Sequence, residues 1–335
     1  MASPQSPVSQ EPILQGGKRF FPIQLASLRI DSVPRFSLYF RPSIDQPFVL
    51  YCEKNVTFGQ AALDRLRENR VRQLFIRDEE RSAYSRYLAE HLYQILDDKH
   101  LTVRDKSVIL YDSAQAVVED VLGNPSSREH IEHGKKIVGH TVDFMSRDDF
   151  LLEHLLRTIS CDYYLYTHSV NVVAYSVALA MEAGHRDKAT LREIANGALL
   201  HDVGKSALDP ELVNKRDSLN ADEWRQVQEH AKKGLVLVQK SGSLGEIALD
   251  IINHHHEKLD GTGYPDHLEG DQISVFVRMV TIADVFDALT TDRHHQKARN
   301  TFDALKIMNG EMRHELDPRL LRLFVTMMGG AKAKK

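Results

Sequence analysis

An aspartate sits in the middle of an otherwise apolar stretch, SVFVRMVTIADVFDALT, and a histidine–aspartate pair closes another, GALLHDVGK. A carboxylate on a buried helical face is costly unless a cation or a donor meets it. A chain that builds both segments must therefore fold so that Asp202 and Asp284 find partners. Histidines recur at the positions that could supply them: His168 in THSVNVVAYSVALA, His201 beside Asp202, His230 in EHAKKG, and His254, His255 and His256 in HHHEKLDGTGYP. Taken alone, His168 reads as a hydrogen-bonded core histidine, because Leu165, Val172 and Leu179 share its face. His230 alone reads as a surface residue. Three consecutive histidines cannot all point one way, so two of them would ligate from a helix end and the third would be a neighbour. The set as a whole is too rich for a closed four-ligand structural site. It is sufficient for two divalent ions, with a carboxylate bridging them and positions left for water and substrate.

Composition narrows the alternatives. Acidic and basic residues nearly balance, 47 against 43, so no general attraction for a nucleic-acid duplex or an anionic membrane is expected. The two cysteines, Cys52 and Cys161, make neither a disulfide framework nor a CxxC site. Histidine and carboxylate are left as the metal ligands, and a reducing, cytoplasmic compartment is the expectation. No apolar run is long enough for a membrane span.

The helical period dominates from Leu101 onward, with helices expected near 149–159, 162–183, 191–201, 221–240, 244–255, 274–290 and 301–311. Before them, a helix carrying Val108, Tyr111, Ala114, Val118 and Leu122 stops at Gly123-Asn124-Pro125. Another follows to about Met145 from a capping box at Ser126 and Glu129. Nearer the amino terminus, FSLYF, PFVLY and VRQLFIR read as strands. Thr57 and Gln60 read as a capping box for a helix through Asn69, and a second helix begins near Asp78. The expected fold is multi-domain: a disordered, polar, proline-rich leader (1–17), a small α/β domain with a regulatory or docking role (18–98), connecting helices (99–148), an all-α catalytic domain (149–330) and a basic tail (331–335). Gly204 reads as the cap that stops the helix ending at His201.

The motifs THSVNVVAYSVALA, GALLHDVGK, EHAKKG, HHHEKLDGTGYP and IADVFDALTTDR resemble, in order and spacing, the HD-GYP family of cyclic di-GMP phosphodiesterases, over about Phe150 to Phe324. The resemblance implies that His168, His201, Asp202, His230, His255, His256 and Asp284 ligate the metals and that Asp202 bridges them. It also implies that Lys205 contacts phosphate or assists the proton balance, while the loop of Gly261, Gly263 and Tyr264, with Arg293, holds the substrate. The ions would be iron or manganese, with zinc, nickel and cobalt as other candidates. They would activate water to cut cyclic di-GMP to pGpG, and further to GMP. Tyr164 stands where some members place a glutamate for a third ion, so a two-metal site is expected, with Asp162 nearby. Gln296 replaces a cation of the family's RPYK/R string, with Lys297 as a substitute, and Leu259 replaces a common tryptophan. These departures keep two other readings open: a receptor that binds cyclic di-GMP with little turnover, signalling through the amino-terminal unit or a protein partner, and a hydrolase of another cyclic dinucleotide.

Overall fold

Short runs of large apolar residues near the amino terminus assemble an antiparallel sheet. Its strands are β1 (Ile13–Gln15), β2 (Lys18–Gln24), β3 (Leu38–Phe40), β4 (Val49–Cys52) and β5 (Gln73–Arg77), in the order β1-β2-β5-β3-β4. The structure, a computed structural model, describes residues 13–146, 165–215, 217–240, 242–292 and 297–330. Two compact units divide it, residues 1–116 and 117–335.

In the first unit the pleat sends Phe20, Tyr39 and Phe75 to one face, where Ile13 and Phe48 pack against them. Ile23, Leu38, Leu74 and Ile76 are buried on the other. Helices α1 (Gln60–Glu68) and α2 (Arg81–Asp97) complete the unit. Phe36 meets Tyr84 and Tyr87 of α2 edge-on, each at 5.4 Å between ring centres. The expected disordered leader over 1–17 is corrected at its end, where Ile13–Gln15 pair with β2 as strand β1, and strand β2 was not expected, because Pro22 interrupts its pattern. Pro22 faces Phe75 across the ladder and lies past the end of β1, whose pairing stops at Phe20. A missing N–H is tolerated there. The expected cap at Thr57 is also corrected: Gly59 is the residue before α1, with no side-chain cap.

The division falls within α3 (Val103–Gly123), which precedes α4 (Arg128–Met145). The cap of α4 is Ser127, whose hydroxyl accepts from the His130 N–H, not Ser126. The helix expected over 149–159 lies outside the described residues. The second unit is built around α5 (Leu165–Glu182), buried continuously from Thr167 to Met181. A helix that is apolar on every side needs neighbours all round, and α5 packs against α6 (Lys188–Leu200) and the equally apolar helix over Val275–Thr290.

After α6 come a 3₁₀ turn (Val203–Ala207), a short α7 (Pro210–Val213), α8 (Ala221–Gln228), α9 (His230–Gln239), α10 (Glu246–His254), α11 (Val275–Thr290), α12 (Thr301–Gly310) and α13 (Pro318–Gly330). The single helix expected over 221–240 is two, broken at Glu229, which makes His230 the first residue of α9. Asn220 and Glu223 form a full capping box at the start of α8. Gly204 does not cap α6. It lies in the 3₁₀ turn, and a Cβ there would stand 1.9 Å from the His230 carbonyl oxygen and 2.5 Å from the Gly234 nitrogen. Only glycine lets the turn and α9 approach this closely. Among the described residues no helix is long and apolar enough to cross a membrane.

Candidate metal centre

Five elements each bring one part of the cluster. Helix α5 supplies His168, the end of α6 supplies His201 and Asp202, the first turn of α9 supplies His230, the residues just past α10 supply His255 and His256, and mid-α11 supplies Asp284. All seven converge, and all but the half-buried His256 are buried. Their candidate ligand atoms form two groups, His168–His201–Asp202 and Asp202–His230–His255–His256, within each of which the atoms lie within 4.8 Å of one another.

Asp202 belongs to both groups because its two oxygens face opposite ways. Oδ2 lies 3.4 Å from His201 Nε2 and 3.8 Å from His168 Nε2. Oδ1 lies 3.4 Å from His230 Nε2 and 4.0 Å from His255 Nε2. Asp284 makes a second link, with Oδ1 3.2 Å from His168 Nε2 and Oδ2 3.7 Å from His256 Nδ1.

The hydrogen bonds behind the rings set their tautomers. His201 donates from Nδ1 to the Ala198 carbonyl at 2.7 Å, His230 to Val227 at 2.7 Å, and His255 to Ile252 at 3.1 Å. His168 donates from Nδ1 to Asp287 at 2.7 Å. On His201, His230 and His255 the Nε2 is then left with its lone pair pointing inward, as it is on His168 once that ring gives up its second proton. The Nε2 lone pairs of His230 and His255 meet head-on at 3.3 Å, and the Nε2 atoms of His168 and His201 lie 3.2 Å apart. Asp202 Oδ1 is buried without a hydrogen-bond donor among the described residues. Converging lone pairs around an unsatisfied carboxylate oxygen repel unless cations sit between them, so this donor set fits divalent metal on each side of Asp202.

Burial and neighbouring charges set the protonation states. Burial disfavours charge on Asp202, but Lys205 and the surrounding histidines hold its carboxyl well below the usual range. Burial pushes His255 well down and His256 down to about 3, which keeps both neutral and able to ligate. His168 behaves in the opposite way: burial opposes its charge, yet hydrogen bonds to Asp284 and Asp287 raise it to about 9.

Lys205 Nζ donates to Asp202 Oδ2 at 2.6 Å. Gly261 turns with φ +75°, and Gly263 lies so close to the chain that a Cβ would be 2.4 Å from the Lys258 nitrogen. This tight loop sets the Tyr264 ring 4.7 Å from the His256 ring. His254 turns away from the cluster to Asp250 and Asp266, at 2.6 and 3.1 Å. Lys297 is exposed. Asp162, Tyr164, Arg293 and Gln296 lie outside the described residues.

Three supporting residues escaped the reading of the sequence. Asp287 takes the Nδ1–H of His168, and Asn171 donates to its other oxygen at 2.8 Å. Each lies three residues along its helix from a cluster member, Asp284 and His168, a spacing that signals a shared face. Glu257, fully buried, accepts the backbone N–H groups of Asp266 and Leu268 at 2.7 and 3.1 Å and so ties down the Tyr264 loop. Nothing in its local pattern distinguishes it from an exposed glutamate.

A helical core with a histidine–aspartate pair ending one helix and further histidines and aspartates brought to it from four other elements is the arrangement of an HD domain. The chain belongs to the HD domain family, whose model matches residues 153–320. A cyclic di-GMP phosphodiesterase of Pseudomonas aeruginosa is 33% identical over 225 residues, covering 67% of this chain and 54% of that protein. A 3'3'-cGAMP-specific phosphodiesterase of Vibrio cholerae is 37% identical over 157 residues, covering 46% of this chain and 33% of that protein. The chain thus spans about half or less of the length of these relatives. A solved HDG"Y"P protein from Bdellovibrio bacteriovorus shares the fold, with a TM-score of 0.64 at 24% identity, over 93% of this chain and 100% of that one.

Proposed function

We propose that the helical unit is a metal-dependent phosphodiesterase that hydrolyses cyclic di-GMP to pGpG. The observation that carries this reading is the Asp202 carboxylate, each of whose oxygens faces its own pair of imidazole Nε2 atoms. His168, His201, Asp202 and Asp284 would hold one ion, and Asp202, His230, His255 and His256 the other. When bound, such a pair supplies Lewis acidity and lowers the pKa of coordinated water.

The chain's own residues do the rest. The ionised Asp202 and the neutral His255 and His256 are ready to ligate at neutral pH, whereas His168 must first give up its proton. Lys205, held against Asp202, places a positive charge where the non-bridging phosphate oxygens gather charge during in-line attack. It is also within the site as a proton donor to the leaving ribose oxygen. Tyr264, fixed by the glycine turn and by Glu257, walls the pocket next to His256 and orients the substrate. Arg293 and Lys297 are the remaining candidate substrate contacts.

The test is incubation of protein reconstituted with manganese or anaerobic iron with cyclic di-GMP, with products separated by chromatography. Linear pGpG is expected from the parent and none from Asp202→Ala, which should also lose metal while keeping its helical circular dichroism. Cleavage at the parent rate by metal-free Asp202→Ala would sink the reading. Cleavage of 3'3'-cGAMP in preference to cyclic di-GMP would move the assignment to the substrate named for the Vibrio relative.

A further inference from the structure

The chain's single tryptophan, Trp224, is half exposed on α8, six residues before His230. An indole is apolar in its body and polar at its N–H, the combination enriched where a protein surface meets a partner. Its place is not arbitrary. The His256 ring lies 4.7 Å from Tyr264, tilted by 34°, and the Tyr264 ring lies 6.2 Å from Trp224, edge to face at 84°. A row of rings thus leads from a candidate metal ligand, past a mostly buried tyrosine, to an indole in solvent. Helix α8 holds that indole firmly. Asn220 and Glu223 cap the helix reciprocally, and Lys215 pairs with Glu223 at 2.6 Å.

We propose that Trp224 is a stacking platform for one purine of the substrate. This assignment rests on the phosphodiesterase reading above. With a phosphodiester at Asp202, each base hangs one ribose away from the metals and needs a flat, apolar surface at the rim. Base–aromatic stacking is indifferent to which purine is presented. Trp224 therefore contributes affinity for purine dinucleotides as a class, and the groups nearer the metals select among them. It touches the base and not the reacting phosphate, so its loss appears in binding and KM and leaves the chemical step in place.

Because the protein has one tryptophan, its intrinsic emission reports on this position alone. The 335-residue chain is titrated with cyclic di-GMP and, separately, with 3'3'-cGAMP and inorganic phosphate, with binding followed in parallel by equilibrium dialysis. The expected result is saturable quenching by the cyclic dinucleotides and none by phosphate. Trp224→Ala should weaken the dialysis Kd and raise KM about tenfold or more, with Trp224→Phe within about threefold of the parent. Dinucleotide binding with unchanged emission, or a Trp224→Ala Kd equal to the parent's, overturns the assignment and leaves the phosphodiesterase reading standing. Failure of both cyclic dinucleotides to bind, with or without manganese, sinks both.

Discussion

Asp287 and His168 are joined by a 2.7 Å hydrogen bond that spans two buried helices and 119 positions of sequence. The bond fixes the ring of His168 so that Nε2 faces His201 and Asp202, and Asn171 anchors the same carboxylate from one turn further along α5. Carboxylates behind a metal-binding histidine set its orientation and basicity. Asp287→Asn should lower metal affinity about 10- to 100-fold, measured by competition with a chromophoric chelator. An unchanged affinity would show that His168 needs no such support.

The two directions of histidine shift predict a stability optimum for metal-free protein. His168, raised to about 9 from 6.5 by Asp284 and Asp287 against the opposing effect of burial, is protonated in the fold. Its contribution is complete below about pH 6.5 and fades as pH rises toward 9. His256, lowered to about 3 by burial, is neutral in the fold. Its contribution is complete above about pH 6.5 and fades as pH falls toward 3. The Tm of chelator-treated protein should therefore peak near pH 6.5. Manganese should flatten the alkaline limb, because the ion takes the place of the His168 proton. A Tm that climbs steadily from pH 6.5 to 9 without metal would contradict this.

Gly204→Ala places a methyl group against the His230 carbonyl oxygen and the Gly234 nitrogen, both backbone atoms with no rotamer to yield. The 3₁₀ turn and α9 must separate, at a cost of about 1–3 kcal/mol or more, seen as a Tm drop of about 2–4 °C per kcal/mol. Asp202 and His230 part with them, so metal stoichiometry should fall as well. A stable Gly204→Ala protein with full metal content would refute the close-approach argument.

Glu257→Gln leaves one of two backbone donors, Asp266 N–H or Leu268 N–H, facing an amide NH₂ where it now meets an oxygen. Loss of a charge-assisted bond should speed exchange of these two amides about tenfold or more. KM should rise because Tyr264 is held less firmly. Hydrogen-exchange mass spectrometry over the Tyr264–Leu268 loop reads the first effect directly.

Much of the centre was legible without coordinates. Asp202 and Asp284 announce themselves as charges in apolar helical segments, whereas His168 and His230 read singly as core and surface histidines and join the centre only when the whole set and its resemblance to a known family are taken together. The helical character of the second unit and the mixed character of the first follow from the same periodicities. Strand β2 was hidden because Pro22 breaks its local pattern, and only the short reach of β1 makes that proline tolerable. The break at Glu229 was hidden because each half of 221–240 is a good helix by itself.

What the amino acids determined alone was which side chains are too costly to bury without a partner. What the tertiary structure decided was who the partners are. His168 and Asp287 are strangers in sequence, and Gly204 reads locally as a helix stop until α9 is seen resting on it. The division follows from range: desolvation cost and helical period act within a few residues, whereas hydrogen bonds and steric contact between helices depend on how distant segments are packed.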